Sequence, residues 1–380
     1  MTKVDLTQLR RMAVAHSLTA LSSVQAALDA FHFVQADPIR APARAQDLML
    51  RHRVPHYRAG DLELSYGTLQ IEEAFFINYG FVTPELFGLM HPRGSIASWP
   101  AKRRAQAAAL LAYLAERPEA HPRDVSAHFA HGRVTNYWGG SSSATTHMLD
   151  QLHYLGLVRV VRREAGIRVY GSRPAGEQTD ALSTREIDDR LDRLVDIVVR
   201  KYAPLPWTSL APLVRRLRYA VPQWRARLPQ ALTRAKTRMP HEKVDGVDYY
   251  WPDGLIPEGD VSDDVRLLAP FDPLVWDRRR FELFWNWAYR FEAYTPVARR
   301  TLGYYALPML WRAHVIGWAN ASVTDGLLRV EPGYVAGRPP RERAFTSALA
   351  AECERLRVFL GLGAETPAHK RTRRTRRSGA

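Results

Sequence analysis

Residues 141–170 read SSSATTHMLDQLHYLGLVRVVRREAGIRVY, and the fold class follows from this stretch. Ser141 to Ser143 supply hydroxyls that can cap a helix. Met148, Leu149, Leu152 and Leu155 recur at helical spacing on one face, and Gly156 stops the run. Two segments rich in β-branched residues follow, Leu157–Val161 and Ile167–Tyr170, with Arg162-Arg163-Glu164-Ala165-Gly166 expected as the turn between them. Upstream, His121-Pro122-Arg123-Asp124-Val125 opens a short helix, and Tyr137-Trp138-Gly139-Gly140 makes a turn. Helix, helix and basic hairpin in that order is the layout of a winged helix.

A related plan recurs downstream. Ile187–Lys201 is an amphipathic helix, Thr208 or Ser209 is expected to cap a short one, and a basic helix runs from about Gln223 to Arg238. Residues 243–251 then suit a hairpin about Asp245-Gly246. At the N-terminus, Leu6, Leu9, Met12 and Val14 mark one helix, and Ser22 and Ser23 can cap a second carrying Val24, Ala27, Leu28 and Phe31. Pro38 ends that unit and holds Asp37 extended. Residues 40–115 read as further helices broken by Pro42, Pro55, Pro84 and Pro92. From Val265 the texture changes to strand-like runs at Tyr304–Leu310, Val315–Ser322 and Leu327–Val330, and a last helix spans about 341–361. The predicted class is α+β, mainly helical, with tandem winged-helix units and a β-rich C-terminal part. The predicted divisions are 1–118, 119–180, 181–262 and 263–362, followed by a disordered basic tail over 363–380.

Lysine and arginine outnumber aspartate and glutamate 54 to 39, for a formal charge of +15. That balance suits a polyanionic partner, and double-stranded DNA is the one expected. No run approaches the roughly 20 apolar residues of a membrane span, and Met1 to Asp5 open without the apolar stretch of a signal peptide. The expectation is a soluble, monomeric protein of the cytoplasm, associated with the nucleoid. Cys353 is the sole cysteine, which excludes an internal disulfide and a cysteine-based zinc site. His128, His131, His147 and His153 fall on different faces without a carboxylate at ligand spacing, so no metal and no cofactor are expected.

Three segments carry a resemblance. They are Phe33-Val34-Gln35-Ala36-Asp37-Pro38-Ile39, then His147–Tyr170, then Leu267–Trp318 with Ala269-Pro270-Phe271-Asp272-Pro273-Leu274-Val275-Trp276-Asp277-Arg278, Tyr294-Thr295-Pro296 and Gly303–Trp311. In this order they resemble the winged-helix DNA glycosylases of the AlkZ-like superfamily, in particular its YcaQ-type (AlkX) branch. The resemblance implies tandem winged helices around a duplex channel. It also implies hydrolysis of the N-glycosidic bonds of alkylated purines, including bases tied into interstrand crosslinks. The branch carries a Gln-aliphatic-Asp motif, matched here by Gln35-Ala36-Asp37; a sister branch has Gln in place of the Asp. Ala36 is smaller than the usual aliphatic residue. Where the family tends towards Gly-Arg-x-Asp in the C-terminal hairpin, this chain has Gly317-Trp318-Ala319-Asn320.

The chemistry fits the motif. An N7- or N3-alkylated purine is cationic, so it departs as a neutral base without needing a proton. The catalyst has to stabilise an oxocarbenium-like sugar and position a water, and a carboxylate can do both. In an extended segment Gln35 and Asp37 point to one side while Ala36 packs inward. Gln35 and Asp37 are therefore the candidate catalytic residues. Arg162, Arg163 and Arg168 of the wing, with Arg40 and Arg44, are the candidate DNA contacts. Glu72 and Glu73 read as structural acids, and Asp188, Asp189 and Asp192 as a solvated helix face. A winged-helix regulator without catalysis would explain the charge and the layout but leave Gln35 and Asp37 idle; an enzyme unrelated to DNA would make the basicity incidental. No heptad dimerisation run, nucleotide loop or nucleophile motif supports either.

Overall fold

The computed structural model describes residues 4–135, 139–173, 182–255 and 260–363. A capping box between Asp5 and Gln8 starts α1 (Leu6–Ser17). Ser23 caps α2 (Val24–Phe31), and the chain then turns through His32 into β1 (Phe33–Gln35). After α3 (Ala45–Leu50) and α4 (Asp61–Leu64) come β2 (Glu72–Phe75) and β3 (Tyr79–Val82). These three strands form one antiparallel sheet in the order β1-β3-β2. The two strands correct the all-helical reading of 40–115. Their sequence hides them because Glu72 and Glu73 are buried side by side, so no polar-out alternation is left to read.

The next block follows the sequence more closely. It comprises α5 (Pro84–Met90), α6 (Ala101–Ala115), α7 (Pro122–Phe129), β4 (Arg133–Thr135), β5 (Ser141–Ser143) and α8 (Ala144–Leu155), capped by Ser143 and stopped by Gly156 at φ 80°. The hairpin of β6 (Val158–Glu164) and β7 (Ile167–Ser172) has longer strands than expected. Its turn is only Ala165-Gly166, both at positive φ as a type I′ turn requires. Arg162 and Arg163 are therefore strand residues, and the pleat sends them to opposite faces.

A second helical block holds α9 (Thr184–Tyr202), β8 (Leu205–Pro206), α10 (Trp207–Arg216), α11 (Leu228–Arg238), β9 (His241–Val244) and β10 (Val247–Tyr250). Asp245 and Gly246 make its tight turn, both at positive φ. Thr208 and Ser209 lie inside α10, which begins after Pro206 without a side-chain cap, so the expected cap is not used. Asp188 and Asp192 are not a solvated face. They pair with Arg227 and Arg234 and clasp α9 to the α11 region. The C-terminal part holds β11 (Val265–Leu267), α12 (Pro273–Trp276), α13 (Arg278–Trp285), β12 (Leu307–Trp311), β13 (His314–Thr324), β14 (Leu327–Tyr334) and α14 (Arg343–Phe359). Its sheet runs β11-β12-β13-β14. The basic tail from 364 onward and the Tyr137-Trp138 half of the expected turn lie outside the described residues. Among the described residues no helix is long and apolar enough to cross a membrane.

Packing explains how β1 is placed. Val34 enters the hydrophobic core shared by α2, α6, α8, β11 to β13 and α14. Its neighbour Phe33 enters a second core built on α5, α9, α10 and α11. Strand alternation thus clamps β1 from both faces. From below, the buried Lys201 ammonium donates to the Phe33 carbonyl at 2.6 Å. Gly80 lies opposite Gln35 in the ladder. A Cβ there would sit 2.3 Å from the Val34 carbonyl oxygen, so only glycine lets β3 approach this closely.

Candidate active site

The chain leaves β1 at Gln35 and enters an extended turn at Asp37. Both side chains are buried, Asp37 with 9% of its surface exposed. Ala36, expected to pack inward, is the less buried of the three and lines the cleft with Asp37. The Gln35 Oε1 accepts from the Trp276 indole N–H at 2.8 Å and from Asn78 Nδ2 at 2.9 Å. An indole nitrogen can only donate, so the amide orientation is fixed and Gln35 presents Nε2 as its free end. Asp37 Oδ1 accepts from the Ile39 N–H at 2.9 Å, and the Asp37 N–H donates to Gln46 Oε1 at 3.3 Å. Among the described residues no cation pairs with the Asp37 carboxylate. Burial raises its pKa above the usual aspartate value, and the Ile39 hydrogen bond offsets only part of that.

Asp37 opens onto a cleft of about 650 Å³ that it shares with Ala36, Pro38, Arg40, Arg44, Tyr79, Arg163, Arg168 and the wing turn at Ala165 to Ile167. Four of the five expected DNA-contacting arginines therefore meet the expected catalytic acid in one place. Gln35 and Arg162 do not line it. The arginines differ in what they already hold. Arg163 grips the fully buried Glu73 through two bonds of 2.8 and 2.6 Å. Glu73 also accepts from the Tyr79 hydroxyl at 2.7 Å. Arg168 pairs with Asp150 at 2.9 Å and lies over the Tyr79 ring. Arg44 is paired with Glu63. Arg40 is exposed and, among the described residues, makes no ion pair.

A family model described as "DNA glycosylase AlkZ-like" matches residues 28–359. The chain belongs to the AlkZ-like DNA glycosylase family. Among solved structures, the Streptomyces sahachiroi DNA glycosylase AlkZ superposes with a TM-score of 0.55 over 95% of this chain and 98% of that one. The two share 14% sequence identity, so the likeness is one of fold.

In this AlkZ-like protein the remaining expected residue, Arg162, does not line the cleft and pairs with Glu119 at 2.7 Å and Glu164 at 3.0 Å, with all three side chains at least 40% exposed. Glu72 anchors Arg159 and Arg173, completing the structural role read for the acidic pair. Among the described residues no group of three His, Cys, Asp or Glu is arranged to hold a metal ion, and His153 is buried against the Tyr79 hydroxyl at 3.0 Å. Sequence reasoning missed Asn78, Tyr79 and Trp276 as supports of the site. Trp276 lay within a segment of the resemblance, but its contact with Gln35 spans 241 residues and has no local signal.

Trp318 and Asn320, where the chain departs from the family tendency, are engaged internally. Trp318 stacks on Trp287 with ring centroids 5.7 Å apart, and Asn320 Nδ2 donates to the Leu302 carbonyl at 2.8 Å.

Proposed function

We propose that this protein hydrolyses the N-glycosidic bond of alkylated purines in duplex DNA, interstrand-crosslinked bases included, as a member of the YcaQ-type branch. The observation that carries the reading is a buried carboxylate, Asp37, without an ion pair among the described residues although Arg40, Arg44, Arg163 and Arg168 line the same cleft. Asp37 Oδ1 is tied to Ile39, and Oδ2 is free to take a proton. In the reaction the C1′–N bond breaks and its electron pair neutralises the cationic purine. The water oxygen bonds to C1′, and its proton passes to Asp37 Oδ2. The developing sugar cation is stabilised by the carboxylate charge, which acts strongly because the Asp37 side chain is largely buried. Gln35 does not line the cleft with Asp37, so its proposed part in the reaction is to hold the exit from β1, and with it Asp37, through Trp276 and Asn78.

On this reading α7, α8 and the β6–β7 hairpin form one winged helix within 119–180, and α9 to α11 with β9 and β10 a second within 181–262. The unit 1–118 carries the motif, and 263–362 closes the channel. Arg40 and Arg162 bind phosphates by exchanging solvent or weak exposed pairs for them. Arg44, Arg163 and Arg168 add their field to the cleft while holding its walls. Exposed Pro38, Arg40 and Ile167 border the cleft, which supports a shallow, groove-facing site able to admit a base still tethered to the opposite strand. No lysine lines the cleft among the described residues, which supports a hydrolase without a lyase step. The test is to incubate the protein with a duplex carrying a single N7-methylguanine and follow free base by chromatography. Release of the methylated base supports the reading; tight binding with no release above background contradicts it and favours a regulator.

A further inference from the structure

Between α13 and β12 the chain runs from Asn286 to Ala306 with a single 3₁₀ turn at Val297–Arg299. A connection this long without regular structure is uncommon in a compact protein unless it has work to do. It is nonetheless firmly built. The Glu292 carboxylate, buried at its centre, accepts from the N–H groups of Thr301, Leu302 and Gly303 and from the Thr301 hydroxyl, at 2.8 to 3.2 Å. The Thr295 N–H donates back to the Glu292 carbonyl at 2.9 Å, Arg300 Nε donates to the Thr295 carbonyl at 2.8 Å, and Asn320 of β13 holds Leu302.

This rigid frame displays apolar side chains to water. Tyr294 is 80% exposed and Val297 76%, and Tyr304 beside them is also exposed. Phe291 sits beneath, edge-on to both Tyr294 and the buried Tyr305, and packs on the core that Ala36 and Ile39 also join. The segment thus packs on the core that the residues flanking Asp37 also join, and burial first, with the Asp37 charge second, raises the Tyr294 and Tyr305 hydroxyls above the usual tyrosine value. The segment's one carboxylate, Glu292, is buried, while it also carries Arg290 and Arg299, both exposed, and Arg300, which lies over the Tyr304 ring. Exposed aromatics on an ordered loop that carries three cations and no exposed acid of its own suit a partner that is both polyanionic and stackable.

Resting on the glycosylase reading above, we propose that Tyr294 is a base-stacking probe that inserts against the nucleobases beside the lesion and presents the sugar to Asp37. Asn320 and Glu292 act as its positioning residues by holding the loop rigid. The hairpin that carries Trp318 and Asn320 thus braces this probe.

The test uses the full-length protein in an Asp37→Asn background, so that binding is read without base release. The probe is a duplex with 2-aminopurine next to a tetrahydrofuran abasic analogue. With Tyr294 present, binding should raise 2-aminopurine fluorescence as the base is unstacked. Tyr294→Ala should abolish that rise and weaken affinity about tenfold, the scale of one base–aromatic stack. Tyr294→Phe should retain both, since stacking needs the ring and not the hydroxyl. An unchanged rise and affinity in Tyr294→Ala would overturn the proposal, as would equal losses in Tyr294→Phe, which would make the hydroxyl a phosphate contact. A change confined to self-association by sedimentation would overturn it too, assigning the tip to a second copy of the chain. Failure of the glycosylase reading shows separately, as wild-type protein that raises the fluorescence on this duplex but releases no base from one carrying N7-methylguanine.

Discussion

Two buried acids stand within one small sheet and its exit, and they are treated in opposite ways. Glu73 on β2 is fully enclosed, gripped by both nitrogens of the Arg163 fork and by the Tyr79 hydroxyl. The Asp37 carboxylate, just past β1, has one backbone hydrogen bond and, among the described residues, no ion pair, although four arginines share its cleft. A carboxylate with a full set of partners is there to hold the fold. Here it ties the wing hairpin to the β1-β3-β2 sheet. A carboxylate kept desolvated and half-satisfied costs stability and keeps its charge available, which is the mark of a group retained for chemistry. Three of the four arginines that share the Asp37 cleft are committed to other acids, Arg44 to Glu63, Arg163 to Glu73 and Arg168 to Asp150, so they do not neutralise it.

The comparison can be broken most severely at its structural half. Arg163→Met leaves Glu73 as an unpaired buried charge and should cost about 3–5 kcal/mol in denaturant unfolding. The double variant Glu73→Gln with Arg163→Met should recover much of that loss. If Arg163→Met instead unfolds like wild type and loses only DNA affinity, the arginine belongs to the DNA and the contrast with Asp37 collapses.

The catalytic half makes a prediction in pH. Burial raises the Asp37 pKa, so the base form disappears earlier on acidification than for an ordinary aspartate. Single-turnover base release should therefore fall with pH below a midpoint above 3.8, by up to about tenfold per unit. A rate that stays flat through that range would remove Asp37 from the proton's path. A smaller effect separates the arginines. Arg40→Ala and Arg162→Ala should each lower the log–log salt slope of duplex binding by about one. Arg168→Ala should lower it less, because that side chain is already committed to Asp150. Smallest of all is stability at the site itself. Asp37→Asn keeps the acceptor for Ile39 and loses a desolvated charge, so its melting midpoint at neutral pH should rise. Because the folded-state pKa of Asp37 is raised, wild type is relieved of its penalty as the carboxyl protonates. The gap between the two proteins should close as pH falls through that value.

Much of this was legible in residues 141–170 and 243–251, where caps, stop glycines and turn pairs act over a few positions. The candidate pair is legible only through the motif, since Gln35 and Asp37 alone look like a surface amide and a turn acid. What escaped reading was everything settled across long separations. β2 vanishes from the pattern because its acids, Glu73 and Glu72, pair with Arg163 and Arg173, 90 and 101 residues away. Arg162 and Arg163 looked alike as neighbours, yet a two-residue turn put them in a strand and sent one outward and the other to Glu73. The expected cap at Thr208 or Ser209 failed for a local reason: Pro206 precedes the helix at ψ 146° and starts it without a side chain.

The central claim is that Asp37 performs the chemistry, and one comparison tests it most directly. Asp37→Asn and wild type should be measured side by side for duplex binding and for single-turnover release of N7-methylguanine. The account predicts equal or slightly tighter binding, because a negative charge near phosphates is gone, and release slowed by a factor on the order of 10² or more. Release at the wild-type rate by the Asp37→Asn protein would contradict it.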